Sequence, residues 1–193
     1  MGSPKQLLPL DGESLIRRAA KAALASQCVA VFAVVGAHAA AVTHELAGLP
    51  LTIVRNPHWQ YGLGSSIRVG IEAVSASAIP FDAALVMLAD QPAVSTALLD
   101  RLIESADTAS AGLVACEYAG TVGSPALFAR RHFDALRNLR GDRGGKVVLA
   151  AHADAVVRIP FPQGAIDLDT REDYERVAVV TPAVRPRRGH DRA

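Results

Sequence analysis

Asp90 is the residue with the clearest chemical opportunity. It closes Ala83-Ala84-Leu85-Val86-Met87-Leu88-Ala89-Asp90-Gln91-Pro92, an apolar run of strand length that ends in an acid, an amide and a proline. A run without polar alternation suits a strand buried on both faces of a parallel sheet covered by helices. Pro92 cannot continue a central strand, so Asp90 stands at or just past the strand's carboxyl end. Ligands bind at that edge in open α/β sheets, and a carboxylate there can hold Mg²⁺ against a phosphate. The competing role is a cap for the next helix, which Ser95 and Thr96 fill better.

Three other places carry usable chemistry. Asp167 and Asp169 flank Leu168 and share one face of a short strand. Two carboxylates so placed repel unless a cation lies between them, and a divalent ion shared with Asp90 would relieve that. Solvation of both, or service of Asp169 to the following helix, explains them equally well. The loop from Asn56 to Gly64 places Gly62 and Gly64 just before a helix capped by Ser65 or Ser66. Free backbone N–H groups there favour anions or polar ligand edges. A tight turn with a serine cap has equal weight, and the third glycine of a dinucleotide fingerprint is absent. Arg140-Gly141-Asp142-Arg143-Gly144-Gly145-Lys146 joins glycine freedom to three cations at a helix start, suiting a phosphate or carboxylate. A helix–helix turn with solvated charges accounts for it as well. Lys5 is a lone exposed lysine until something places it. The six histidines lack metal-ligand spacing, with His38 and His44 read as surface residues. Cys28 and Cys116 read as reduced thiols, and no nucleophilic triad is evident.

The elements that must position these groups follow from periodicity. Strands are expected over 28–35, 51–54, 83–88, 113–117, 126–128, 156–159 and 166–168. Helices are expected over 14–26, 39–46, 65–77, 96–106, 131–139, 146–151 and 170–177, with a loop over 120–125. Alternation of this kind predicts an α/β fold with a doubly wound, mostly parallel sheet and helices on both faces. One domain over 1–180 fits the 193 residues, with a basic tail over 181–193 expected to be disordered. Twenty basic against nineteen acidic residues leave +1, which argues against a nucleic-acid partner. The most apolar segment, 22–42, is broken by Ser26, Gln27 and His38, and no signal peptide opens the chain. A soluble cytoplasmic protein without a membrane partner is the expectation.

These pieces in this order resemble one family. They are Gly2-Ser3-Pro4-Lys5-Gln6-Leu7-Leu8-Pro9-Leu10, the stretch 56–70, Leu88-Ala89-Asp90-Gln91-Pro92, Gly123-Ser124-Pro125-Ala126-Leu127-Phe128, Gly141-Asp142-Arg143-Gly144 and Asp167-Leu168-Asp169-Thr170-Arg171-Glu172-Asp173. Together they look like the molybdenum cofactor cytidylyltransferases, within the nucleotidyltransferases of nucleotide-diphospho-sugar-transferase-like fold. The likeness spans about 2–178. It implies that Lys5 neutralises the triphosphate, that Asp90 with Asp167 or Asp169 holds Mg²⁺, and that Asn56, Gly62, Gly64 and Ser66 approach base and ribose. It also implies that Gly123, Ser124, Pro125, Asp142 and Arg143 face the acceptor. The implied reaction is attack by the terminal phosphate of molybdopterin on the α-phosphate of CTP, with a molybdenum hydroxylase as the final client.

One departure matters. The family opens with a buried strand and a glycine-rich loop ending in Arg, then Met or Phe, then Gly. Here the sequence starts at that Met, so the first strand and the triphosphate loop are expected to be missing, through a start assigned too late or, as the second reading, through a true truncation with little activity. A second departure is Ser124, where many relatives carry His, and it bears on the acceptor. The rival expectations are a transferase using GTP or another acceptor, and a non-catalytic accessory that binds molybdenum cofactor.

Overall fold

In the computed structural model, the described residues are 4–110 and 112–165. The expected strand over 166–168, the helix from Thr170 and the basic tail lie outside them.

A three-ten turn at Lys5–Leu7 leads into a small hairpin, β1 (Pro9–Leu10) and β2 (Glu13–Ser14). Asp11 and Gly12 turn it with φ of 53° and 82°, the doubly left-handed geometry that two-residue hairpins require. Helix α1 (Leu15–Leu24) follows, burying Leu15, Ala20 and Ala23 and exposing Lys21. The parallel pair β3 (Phe32–Val35) and β4 (Thr52–Arg55) is joined through α2 (Ala39–Glu45). Helix α3 (Leu63–Ala76) then leads to β5 (Ala83–Val86), and α4 (Thr96–Glu104) leads to the hairpin β6 (Leu113–Tyr118) and β7 (Thr121–Ala129). Two short helices, α5 (Phe133–Arg137) and α6 (Lys146–Ala150), precede β8 (Val157–Pro160).

The second sheet has the order β5-β7-β6-β8. Strand β7 runs antiparallel to both neighbours, whereas β6 and β8 are parallel. The class is α/β with helices on both faces. Leu113 and Ala115 of β6 point into a core with Ile67, Ile71, Phe133, Leu136 and Leu149. The alternate residues Val114 and Cys116 point the other way, onto Leu98, Leu99 and Leu102 of α4. A third cluster joins Ala20 of α1, Val35 of β3 and Val42 of α2.

Two expectations are corrected. The segment 120–125 was expected as a loop, yet β7 begins at Thr121. Ala119 and Gly120 both take positive φ, 48° and 72°, so the chain reverses within two residues and pairs at once. The register steps from Ala115↔Ala126 to Cys116↔Gly123, which leaves Ser124 and Pro125 as an unpaired bulge. A proline is tolerated in an interior strand at such a bulge, because no ladder N–H is demanded of it.

The second correction concerns β5. Its four residues are all half-buried instead of fully buried. The reason is pairing: β7 covers one edge, and among the described residues no ladder joins the other edge to β3. Phe32 and Phe81, at the entry of β3 and just ahead of β5, meet edge to face with centroids 6.1 Å apart. Helix α3 packs against β3, β4 and β5 and so bridges the two sheets. A strand paired on one side protects only every second amide. Hydrogen exchange on the native chain is therefore expected to alternate along β5, with fast and slow amides, while β7 is protected on both sides. Uniform protection of β5 would contradict the split sheet.

Candidate active site

The site is built from the carboxyl end of the parallel pair. Asn56 follows β4 directly, and its N–H donates to the Val35 carbonyl at 2.8 Å, extending the β3–β4 ladder by one step. Its side chain is 2 % exposed. The amide nitrogen donates to Ser65 Oγ at 2.8 Å and to Ser66 Oγ at 3.0 Å, and Oδ1 accepts from the His58 N–H at 2.9 Å. All of its main hydrogen-bonding capacity is thus committed. Ser65 Oγ lies within bonding distance of the carbonyls of Gly62, at 2.8 Å, and His58, at 3.0 Å. Ser66 Oγ accepts from Asn56 and makes no other side-chain hydrogen bond among the described residues.

Helix α3 starts at Leu63 with Gly62 as its N-cap, two residues earlier than expected, and neither Ser65 nor Ser66 caps it. Both serines instead serve the loop. Gly62 has φ 87°, and a Cβ there would sit 2.5 Å from the Gly141 carbonyl carbon and from Asp142 Oδ1. The Gly64 N–H donates to the Gly141 carbonyl at 2.9 Å. Glycine is required at 62 by both conformation and contact. The two glycine loops, far apart in sequence, dock on one another and leave Asp142 and Arg143 exposed beside Gly62. One N–H of the helix start is therefore already bound to Gly141, so the anion cradle is narrower than the spacing suggested.

Asp90 lies half-buried in a turn beyond β5. Gln91, its neighbour, is 4 % exposed, and its Nε2 donates to the Ser124 carbonyl at 3.2 Å. That bond ties the Asp90 turn to the Ser124-Pro125 bulge, uniting two segments that sequence could name only separately. Gln91 was visible only as an amide wedged between an acid and a proline. Lys5 opens the three-ten turn packed against α1 and α2, and its carbonyl accepts from the Leu8 N–H at 3.0 Å. Asp167 and Asp169 lie outside the described residues. Among the described residues no three His, Cys, Asp or Glu side chains gather as a metal cluster.

The model of the MobA-like NTP transferase domain matches residues 1–156. The chain belongs to that family. A nucleotidyltransferase-type function comes with membership, as does the α/β fold. A relative named nicotine blue oxidoreductase, from Paenarthrobacter nicotinovorans, is 35% identical over 76% of this chain and 72% of its own length. The manganese complex of Rv0371C from Mycobacterium tuberculosis H37Rv is 27% identical with a TM-score of 0.73, covering 92% of this chain and 93% of that one. A nucleotidyl transferase from Methanothermobacter is 26% identical with a TM-score of 0.76, covering 91% and 84%.

Of the two thiols of this MobA-like domain, Cys116 is buried and Cys28 is partly exposed. Burial pushes Cys116 up to about 12 from an ordinary 9.0, against a smaller downward pull from Arg101. Because the folded state holds this proton more tightly, stability is expected to fall as pH rises above about 9, where the unfolded thiol ionises. At pH 8 a thiol reagent should label Cys28 and spare Cys116 until the chain is unfolded. Equal labelling would contradict the burial. Asn56→Asp removes both donors to Ser65 and Ser66, and should lower unfolding stability in urea by about 1–3 kcal/mol. An unchanged midpoint would mean the edge is held otherwise.

Proposed function

We propose that this chain transfers CMP from CTP to the terminal phosphate of a molybdopterin-type cofactor, releasing pyrophosphate, in the cytoplasm and with Mg²⁺. The observation that carries the reading is the Asp90 carboxylate, half-buried beyond β5 and anchored through Gln91 to Ser124. Among the described residues no side chain pairs with that carboxylate. Mg²⁺ is usually held by one or two carboxylates with substrate phosphates and water completing its shell. One open carboxylate therefore fits, and Asp167 or Asp169 is proposed as a second. The ion would supply charge neutralisation for the phosphates.

The chain's own residues supply position. An acceptor phosphate oxygen attacks the α-phosphorus, the bond from that phosphorus to the bridging oxygen of the β-phosphate breaks, and pyrophosphate leaves with the electron pair. Nothing in this displacement needs a protein nucleophile, and catalysis rests on alignment and electrostatics. Lys5 is assigned to the charge that develops on the leaving pyrophosphate. Ser66 offers its hydroxyl to base or ribose, beside Asn56, Gly62 and Gly64. Gly123, Ser124, Pro125, Asp142 and Arg143 are assigned to the acceptor. A molybdenum hydroxylase would be the client of the product.

A manganese-bound relative of 27% identity supports the use of a divalent ion. Pyrophosphate release should be measured with CTP and GTP, with molybdopterin as acceptor and Mg²⁺ present. The expected result is release with CTP, lost at least about a hundredfold in Asp90→Asn with the melting temperature unchanged. Preference for GTP would move the base assignment. Silence with every triphosphate alongside cofactor binding would favour an accessory role, and full activity of Asp90→Asn would remove Asp90 from the mechanism.

A further inference from the structure

We propose that Tyr118 is a positioning residue of the transfer site, a wedge that fixes the bulge at 123–125 relative to the three-ten turn Pro162–Ala165. Tyr118 ends β6, half-buried, and pairs with Thr121 across the hairpin turn. Two glycines from different segments make room for it. A Cβ at Gly123 would collide with the Tyr118 hydroxyl and lie 3.1 Å from Cζ. A Cβ at Gly164 would lie 2.6 Å from Cδ1 of the same ring and 2.5 Å from Cδ1 of Phe161. Neither glycine takes a left-handed φ, so contact, and not conformation, excludes a side chain at each.

The surroundings hold the wedge still. Phe161 is buried, its N–H donates to the Glu117 carbonyl at 2.9 Å, and its ring meets that of Tyr118 edge to face with centroids 6.2 Å apart. The Gly164 N–H donates to the Phe161 carbonyl at 2.8 Å, closing the turn onto both rings. The bulge is held a second time by Gln91, whose Nε2 donates to the Ser124 carbonyl. The Asp90 turn, the bulge and the 162–165 turn are thereby joined in one line, first through Gln91 and then through Tyr118. Asp167 follows Ala165, the end of that turn, by two positions. The hydroxyl end of Tyr118 thus stands against the segment assigned to the acceptor, and its ring edge against the chain that leads to the second proposed carboxylate. Misplacing an aligning group by about an ångström can cost a hundredfold in rate, so this spacing matters to the transfer. What the two sides bind rests on the transferase reading, whereas the wedge itself does not.

The test exchanges atoms across the contact in the full chain, reading melting temperature and the KM values for CTP and molybdopterin. Tyr118→Phe should keep the melting temperature and the KM for CTP, while KM for molybdopterin rises about tenfold as the bulge loosens. Gly123→Ala should lower the melting temperature and raise the same KM, because its methyl meets the hydroxyl. The double variant replaces that oxygen with a methyl, so both quantities should recover toward those of the unsubstituted chain. Gly164→Ala meets the ring edge and Phe161 instead, and Tyr118→Phe should not rescue it. An unchanged KM for molybdopterin in Tyr118→Phe, or equal damage from Gly123→Ala with and without the hydroxyl, would overturn the proposal. If the unsubstituted chain released no pyrophosphate with any triphosphate, the transferase reading alone would fall. Rescue of the Gly123→Ala melting temperature by Tyr118→Phe would still uphold the wedge, and its absence would end it.

Discussion

The carboxyl edge of the parallel pair depends on one buried side chain with every hydrogen-bonding group engaged. Asn56 extends the ladder with its backbone and binds three positions of the following loop with its carboxamide. A buried amide left half-satisfied would cost more than it contributes, so the loop and the first turn of α3 can hold only the arrangement that completes it. That constraint gives the two serines different partners. Ser65 closes inward on Gly62 and His58, whereas Ser66 accepts from Asn56 alone among the described residues.

From that fixed point the rest of the rim is assembled by contact. Gly62 and Gly64 admit the backbone of Gly141, which a side chain at either position would push away. Gln91 links the Asp90 turn to the Ser124-Pro125 bulge in the same manner, through one amide and one carbonyl. Charge neutralisation and alignment are all that phosphoryl transfer asks of a protein. An edge built from loops pinned by buried amides supplies the rigidity that alignment needs.

The alternation of strands and helices was legible because 3.6- and 2-residue periods are local properties of the chain. The expected helix over 96–106 is α4, begun by Ser95, whose hydroxyl accepts from the Leu98 N–H. Pairing is not local, and there the sequence was silent. Nothing in Ala83–Val86 says that one of its edges goes unladdered, so full burial was the natural expectation. The turn at Ala119-Gly120 and the bulge at Ser124-Pro125 made a strand look like a loop, since Gly and Pro usually punctuate. In the site, residue types pointed to Asn56, Gly62, Gly64, Asp90 and Asp142 one by one. The docking of Gly62 on Gly141 and the reach of Gln91 to Ser124 needed the third dimension.

The central claim is that a divalent ion and a nucleotide meet at Asp90, beside the rim that Asn56 holds together. Paramagnetic broadening by Mn²⁺ in the presence of CTP tests it most directly. The account predicts loss of the amide signals of Asp90, Gln91 and Ser124, with Ser66 shifted by the nucleotide, and no such loss in Asp90→Asn. Broadening centred elsewhere in the chain, or unchanged in Asp90→Asn, would contradict it.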